Sequence, residues 1–137
     1  MRKPTVRCLR WYFSTLLTAV AFVSACTTFP PPQPAEDLKS IAGKWEGWGT
    51  NFRAGRFQIK LSVKENGRWE MIIDPPYLTF GRNFTGTAMI REEKFKFETN
   101  TPGLSGTYTL HYLEGNRWLL FTSDDDDTRA QLRQSLR

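Results

Sequence analysis

From residue 43 to residue 122, apolar and polar positions alternate with a period of two rather than 3.6. The clearest case spans 56–64. Phe57, Ile59, Leu61 and Val63 point to one side, and Arg56, Gln58, Lys60, Ser62 and Lys64 to the other. Asn66-Gly67 follows as a hairpin signal, because both residues tolerate positive φ. The return segment 68–74 buries Trp69, Met71 and Ile73 and is expected to end at Pro75-Pro76. Further alternating segments cover 83–91, 94–99, 107–113 and 117–122, with Phe84, Phe95, Phe97, Tyr108 and Leu110 on their apolar faces. Together with 44–51 they predict seven strands, or eight.

One amphipathic strand cannot stand alone. Burying each large apolar side chain contributes about 1.5–3 kcal/mol, while fixing each residue's backbone costs roughly 1–2 kcal/mol. The apolar faces must therefore share a core. The segments are short, consecutive and turn-linked, with no crossover helix between them. The predicted fold class is all-β: a small antiparallel up-and-down meander of seven or eight strands, closed or nearly closed into a barrel to hide its edges. Such a barrel has an interior just wide enough for side chains or one small ligand.

A different pattern precedes the alternation. Arg2, Lys3, Arg7 and Arg10 lead into a mostly apolar stretch over 11–23, and no acidic residue occurs before Glu36. That order is the order of a secretory signal. The apolar stretch is too short and too rich in Ser and Thr for a spanning helix of about 20 residues, and Pro30, Pro31 and Pro32 forbid its helical extension. Val23-Ser24-Ala25-Cys26 ends it and resembles the lipobox of bacterial lipoproteins. The resemblance implies cleavage before Cys26 and two or three acyl chains, palmitate among them, on that residue. Two chains give stable anchoring to a lipid bilayer where one gives only marginal binding. Thr27 stands where an Asp would retain such a protein in the inner membrane. The implied location is the bacterial cell envelope, with the outer membrane as destination in a Gram-negative host and the domain in the periplasm or at the surface.

Cleavage changes the charge. The full chain has 19 Lys and Arg against 14 Asp and Glu. The leader holds four of the basic residues and none of the acidic ones, which leaves fifteen against fourteen. No basic stripe suited to nucleic acid survives. Cys8 is lost with the leader and Cys26 is lipidated, so the domain has no disulfide and depends on its core. The Pro-rich segment 29–34 favours an extended spacer of about 3.1 Å per residue, expected to hold the domain a couple of nanometres off the bilayer. The predicted organisation is a signal peptide over 1–25, a lipidated Pro-rich tether over 26–39, the barrel over 40–123, and an acidic run with a short C-terminal helix over 124–137. Asp124 to Asp127 would sit at the N-terminus of that helix and Arg133 and Arg137 near its end, matching its dipole.

A second resemblance concerns the start of the barrel. The segment 38–47 holds Gly43-Lys44-Trp45, which is similar to the Gly-x-Trp at the first strand of lipocalins and fatty-acid-binding barrels. The resemblance implies a short helical turn before the strand and a tryptophan plugging one end. Trp45, Trp69, Phe95, Phe97 and Tyr108 are the candidate interior ligand-binding residues. Leu104-Ser-Gly-Thr-Tyr108 is similar to a Ser-Gly-containing loop of the membrane-bound inhibitors of c-type lysozyme, although this chain lacks their disulfide and their lysine-bearing motif.

Catalysis finds little support. His111 is the only histidine, and alternation turns it outward. There is no nucleophile elbow and no His/Cys cluster for zinc, the acidic run lacks the spacing of a calcium loop, and no cofactor motif occurs. Trp48 faces away from Trp45 and is either an interface anchor or covered by the terminal helix. Tyr77 and Phe80, in the segment after Pro75-Pro76, either close the barrel mouth or touch a partner. Two functions follow. One is a non-catalytic binding module for a small apolar ligand. The other is a protein-interaction lipoprotein of the envelope, an assembly factor or an enzyme inhibitor, with a solid core. A large apolar cavity would favour the first and a filled aromatic interior the second.

Overall fold

The computed structural model describes residues 28–77, 81–101 and 103–136. The signal segment, Cys26 and Phe80 lie outside the described residues. A single 3₁₀ turn, Leu38–Ile41, leads into β1 (Gly43–Asn51). Then follow β2 (Gly55–Val63), β3 (Arg68–Tyr77), β4 (Gly81–Arg91), β5 (Lys94–Glu98), β6 (Gly106–Leu113), β7 (Asn116–Ser123) and β8 (Thr128–Gln134). Every strand pairs antiparallel with the next, and β1 pairs with β8 to close an eight-stranded up-and-down barrel.

The closing strand corrects the expected C-terminal helix. Thr128, Ala130 and Leu132 are buried, and Arg129, Gln131 and Arg133 are exposed. That is period two, and β1 offers a full row of backbone partners from Trp45 to Asn51. A seven-stranded barrel would leave the edges of β1 and β7 open, so pairing outweighs the dipole match that favoured a helix. Gly47 makes the seam possible: a Cβ there would lie 1.9 Å from the Gln131 carbonyl oxygen.

The turns follow local chemistry. At β2–β3 only Gly67, at φ 83°, takes the left-handed conformation. Gly67 N–H donates to the Lys64 carbonyl (2.9 Å), and the Lys64 N–H to that of Arg68 (2.8 Å). This is a three-residue loop with a glycine bulge rather than a two-residue turn. Pro75 and Pro76 do not end β3. The strand continues to Tyr77, and the β3–β4 register shifts between Ile72 and Tyr77, where missing N–H donors are tolerated. Glu92 and Glu93 form the β4–β5 turn with φ of 50° and 60°.

The Pro-rich segment is extended, and from Phe29 onward it lies along the barrel. The β5–β6 ladder spans only Phe95–Tyr108 to Phe97–Gly106, so the far half of β6 lacks a partner on that side. The segment fills this gap. Between Pro30 and Ala35 only Gln33 and Ala35 have N–H groups, and both donate to the barrel: Gln33 to the Leu110 carbonyl (2.7 Å) and Ala35 to the Glu93 carbonyl (2.8 Å). Ala35 itself joins the core. The 3₁₀ turn then closes this end, with Ile41 buried and its carbonyl accepting from Trp45 Nε1 (2.9 Å).

Candidate functional site

The five interior candidates come together. Trp45, Trp69, Phe95, Phe97 and Tyr108 are each no more than 1% exposed and belong to one apolar cluster. Three of the rings form a contact chain that continues to Phe121: Trp69 stacks on Phe97 at 5.7 Å between centroids, Phe97 meets Tyr108 at 4.3 Å, and Tyr108 meets Phe121 at 4.6 Å. Trp69 Nε1 and the Tyr108 hydroxyl are carried into this interior without a hydrogen-bond partner, as is Arg117 Nε nearer one end of the barrel. Burial pushes the Tyr108 phenol well above its ordinary value. At one end of the barrel Arg117 points inward along β7. Its guanidinium lies 5.6 Å from the Trp45 ring and 5.9 Å from that of Tyr112, and its Nη1 donates to Gln134 (3.1 Å).

The outer wall is organised by register. Across five consecutive strands, His111, Trp118, Arg133, Glu46 and Lys60 are successive cross-strand neighbours. The next such row runs Thr109, Leu120, Gln131, Trp48 and Gln58, and the one after it Thr107, Thr122, Arg129, Thr50 and Arg56. Trp48 is therefore ringed by arginines. It is 49% exposed, and the Arg56 guanidinium sits 4.4 Å from its ring. Of the two placements expected for Trp48, cover by a terminal helix is excluded, since β8 stands there. Trp48, Trp118, Arg56, Arg129, Arg133 and Glu46 line an open groove of about 560 Å³.

No family model, curated protein or solved structure matches this chain.

His111 is on the outward side of β6, as expected, yet it is buried. The N-terminal segment covers it: its Nδ1 is 2.7 Å from the Pro30 carbonyl oxygen, its Nε2 2.8 Å from Thr109 Oγ1, and Phe29 meets it edge-on at 5.7 Å. Phe29 also packs edge-on against Trp118 at 5.6 Å. These contacts account for His111 as a structural clamp.

The acidic run is a turn, not a helix N-terminus. Asp125 accepts from the Ser123 hydroxyl and from the Asp127 N–H (3.2 Å), and these bonds hold its carboxyl below the usual range. Asp124 pairs with Lys96, and Asp126 with Arg129 (3.1 Å). Among the described residues no cluster of three His, Cys, Asp or Glu side chains could hold a metal ion. In the Ser-Gly loop, Ser105 Oγ accepts from the Thr99 N–H (3.1 Å) and donates to the Thr99 carbonyl (3.2 Å), tying the loop to the end of β5. Tyr77 is described only by its backbone, paired with Gly81.

Residue periodicity identified the interior but missed the arginine ring around Trp48. The acidic run before them favours a helix over Arg129 and Arg133, whereas the Thr-x-Ala-x-Leu alternation of 128–132 is the signal that places them on a strand beside Trp48.

Proposed function

We propose that this chain is a lipid-anchored protein of the bacterial cell envelope. Its barrel acts as a non-catalytic binding module through its outer surface. The anchor rests on Val23-Ser24-Ala25-Cys26 and the leader before it. The observation that carries the surface reading is the interior, where the five aromatic side chains are buried in one apolar cluster and Trp69, Phe97 and Tyr108 lie in ring contact. Open grooves of about 490, 560 and 550 Å³ lie on the barrel wall. A solid core shifts recognition outward, and the exposed Trp48 among arginines has the chemistry of an interface anchor.

Cys26→Ser should abolish acylation and release the protein from the membrane fraction. Retention of the unacylated variant would refute the anchor. Absence of Asp at position 27 supports the outer membrane as destination in a Gram-negative host, testable by density-gradient separation of the two membranes.

One observation favours the interior as a ligand site instead: Trp69 Nε1 and the Tyr108 hydroxyl are buried without partners. A bound molecule with acceptor groups would satisfy both. Tyr108→Phe separates the readings. In a solid core it is neutral or stabilising by up to about 1 kcal/mol, because it removes an unsatisfied hydroxyl. Where the hydroxyl holds a ligand, native mass spectrometry of the wild type shows a co-purified molecule that the variant has lost.

A further inference from the structure

We infer that the outer wall formed by β8, β1 and β2 is the face the barrel turns toward the membrane, and that its arginine-ringed Trp48 groove seats on anionic lipid headgroups. The inference rests on the reading of Cys26 as an acylated anchor. It begins with where the chain goes. The N-terminal segment runs from Gln33, bonded to β6, across His111 on β6 to Trp118 on β7. The last of these contacts moves from β6 to β7, one strand closer to β8. Trp118 is itself part of the groove wall, and its cross-strand neighbour on β8 is Arg133. Cys26 stands three residues before Phe29, so extended backbone allows at most about 11 Å between them. An anchor on so short a lead cannot act as a spacer. It holds the acylated residue within about 11 Å of Phe29, and so close to the Phe29–Trp118 contact.

The chemistry of the wall there fits a headgroup layer. Arg56, Arg129 and Arg133 surround the groove, with Glu46 as the one carboxylate among its lining residues. Long arginine side chains reach phosphate oxygens while their stems cover apolar surface. An amphipathic indole, half exposed as Trp48 is, prefers the boundary between headgroups and acyl chains. Docking and composition are independent observations: the first comes from backbone hydrogen bonds and ring contacts of 28–35, the second from register along β8, β1 and β2.

The test uses the intact acylated protein in vesicles of phosphatidylglycerol and phosphatidylcholine, with bromine placed high on the acyl chains as a shallow quencher. Part of the tryptophan fluorescence should be quenched, and Trp48→Phe should lose that part. Quenching should weaken at high salt and in pure phosphatidylcholine. Vesicle binding of the unacylated Cys26→Ser protein should fall about fivefold for each of Arg129→Gln and Arg133→Gln. Melting curves confirm that these surface variants fold. Identical quenching in wild type and Trp48→Phe overturns the inference. So does a vesicle-free dimer, seen by light scattering, that dissociates in Trp48→Phe, because the face then belongs to a second copy. Intact mass of the same sample reads the anchor separately. An acylated Cys26 with Trp48 unquenched sinks this inference alone, whereas an unmodified Cys26 sinks the anchor and the inference together.

Discussion

The two ends of the barrel are closed by different physics. At the N-terminal end the closure is apolar. Ala35, Ile41 and Trp45 are buried together, Leu38 packs against them, and the polar groups involved are mainly backbone, with Gln33, Ala35 and the Ile41 carbonyl each bonded. At the opposite end the closure is made by side chains of turn residues. Asn51 accepts from the Arg53 and Ala54 N–H groups and donates to Thr128, Asp125 accepts from Ser123, and Asp124 pairs with Lys96. Phe52 projects from this end at 90% exposure, so no apolar cap is built on it. Apolar burial carries no titrating group and no screened charge, whereas exposed carboxylate bonds respond to both pH and ionic screening. The comparison teaches that the end covered by the N-terminal segment is held by apolar burial, and that the far end is open to tuning by its surroundings.

The largest effect is expected at the apolar end. Trp45→Ala should cost about 3–5 kcal/mol in denaturant unfolding, because it empties the plug, leaves the Ile41 carbonyl without its donor and removes one of the two rings beside the Arg117 guanidinium. A loss below about 1 kcal/mol would show that the plug does not hold this end. Phe29→Ala comes next, at about 1–1.5 kcal/mol for two edge-on aromatic contacts. Its sharper signature is local: amide exchange at Gln33 and Ala35 should quicken while the barrel strands keep their protection. Uniform quickening would mean that the segment is part of the global unit and no separate strap. Glu93→Gly tests the same end with opposite sign. Two successive glutamates at positive φ are costly for residues with a Cβ, so relief at one should stabilise by about 1 kcal/mol. A destabilised variant would show that the Glu93 side chain makes up for the strain.

How far the sequence carries depends on which of these forces is at work. Where one apolar face meets one core, period two was sufficient. Phe57, Ile59, Leu61, Trp69, Met71, Phe95, Phe97 and Tyr108 all point inward as the alternation predicts. It failed where alternation is carried by small residues. Thr128, Ala130 and Leu132 are a weak apolar row, and four aspartates before them suggested a helix dipole instead of a turn. The docking of segment 29–35 is not legible in the sequence for a related reason. Its extended backbone was legible in the prolines, but the reason it docks is a gap in a distant ladder, where β5 ends before β6 does. No local pattern contains that information. The Trp48 groove was half legible. The outward indole follows from alternation, while its arginine neighbours depend on the β1–β8 register that only closure creates.

The smallest effect, and the one that most sharpens the comparison, belongs to Asp125. The Ser123 hydroxyl and the Asp127 N–H stabilise its charged form and hold its folded value below the ordinary 3.8. Between those two values the unfolded chain binds the proton and the folded chain does not, so stability rises with pH. The contribution is complete above the unfolded value and disappears as pH falls through the folded one. Asp125 is exposed, so solvent screens the effect and it stays small beside Trp45→Ala. Asp125→Asn keeps an acceptor for the Asp127 N–H and removes the titration. In melting curves taken at successive pH values below 4, the variant should lose stability less steeply than the wild type. Amide exchange should place the wild-type loss in residues 123–128 and leave Gln33, Ala35 and Trp45 unaffected. Equal acid sensitivity at both ends would break the comparison, since it would mean that the carboxylate turn and the apolar plug unfold as one unit.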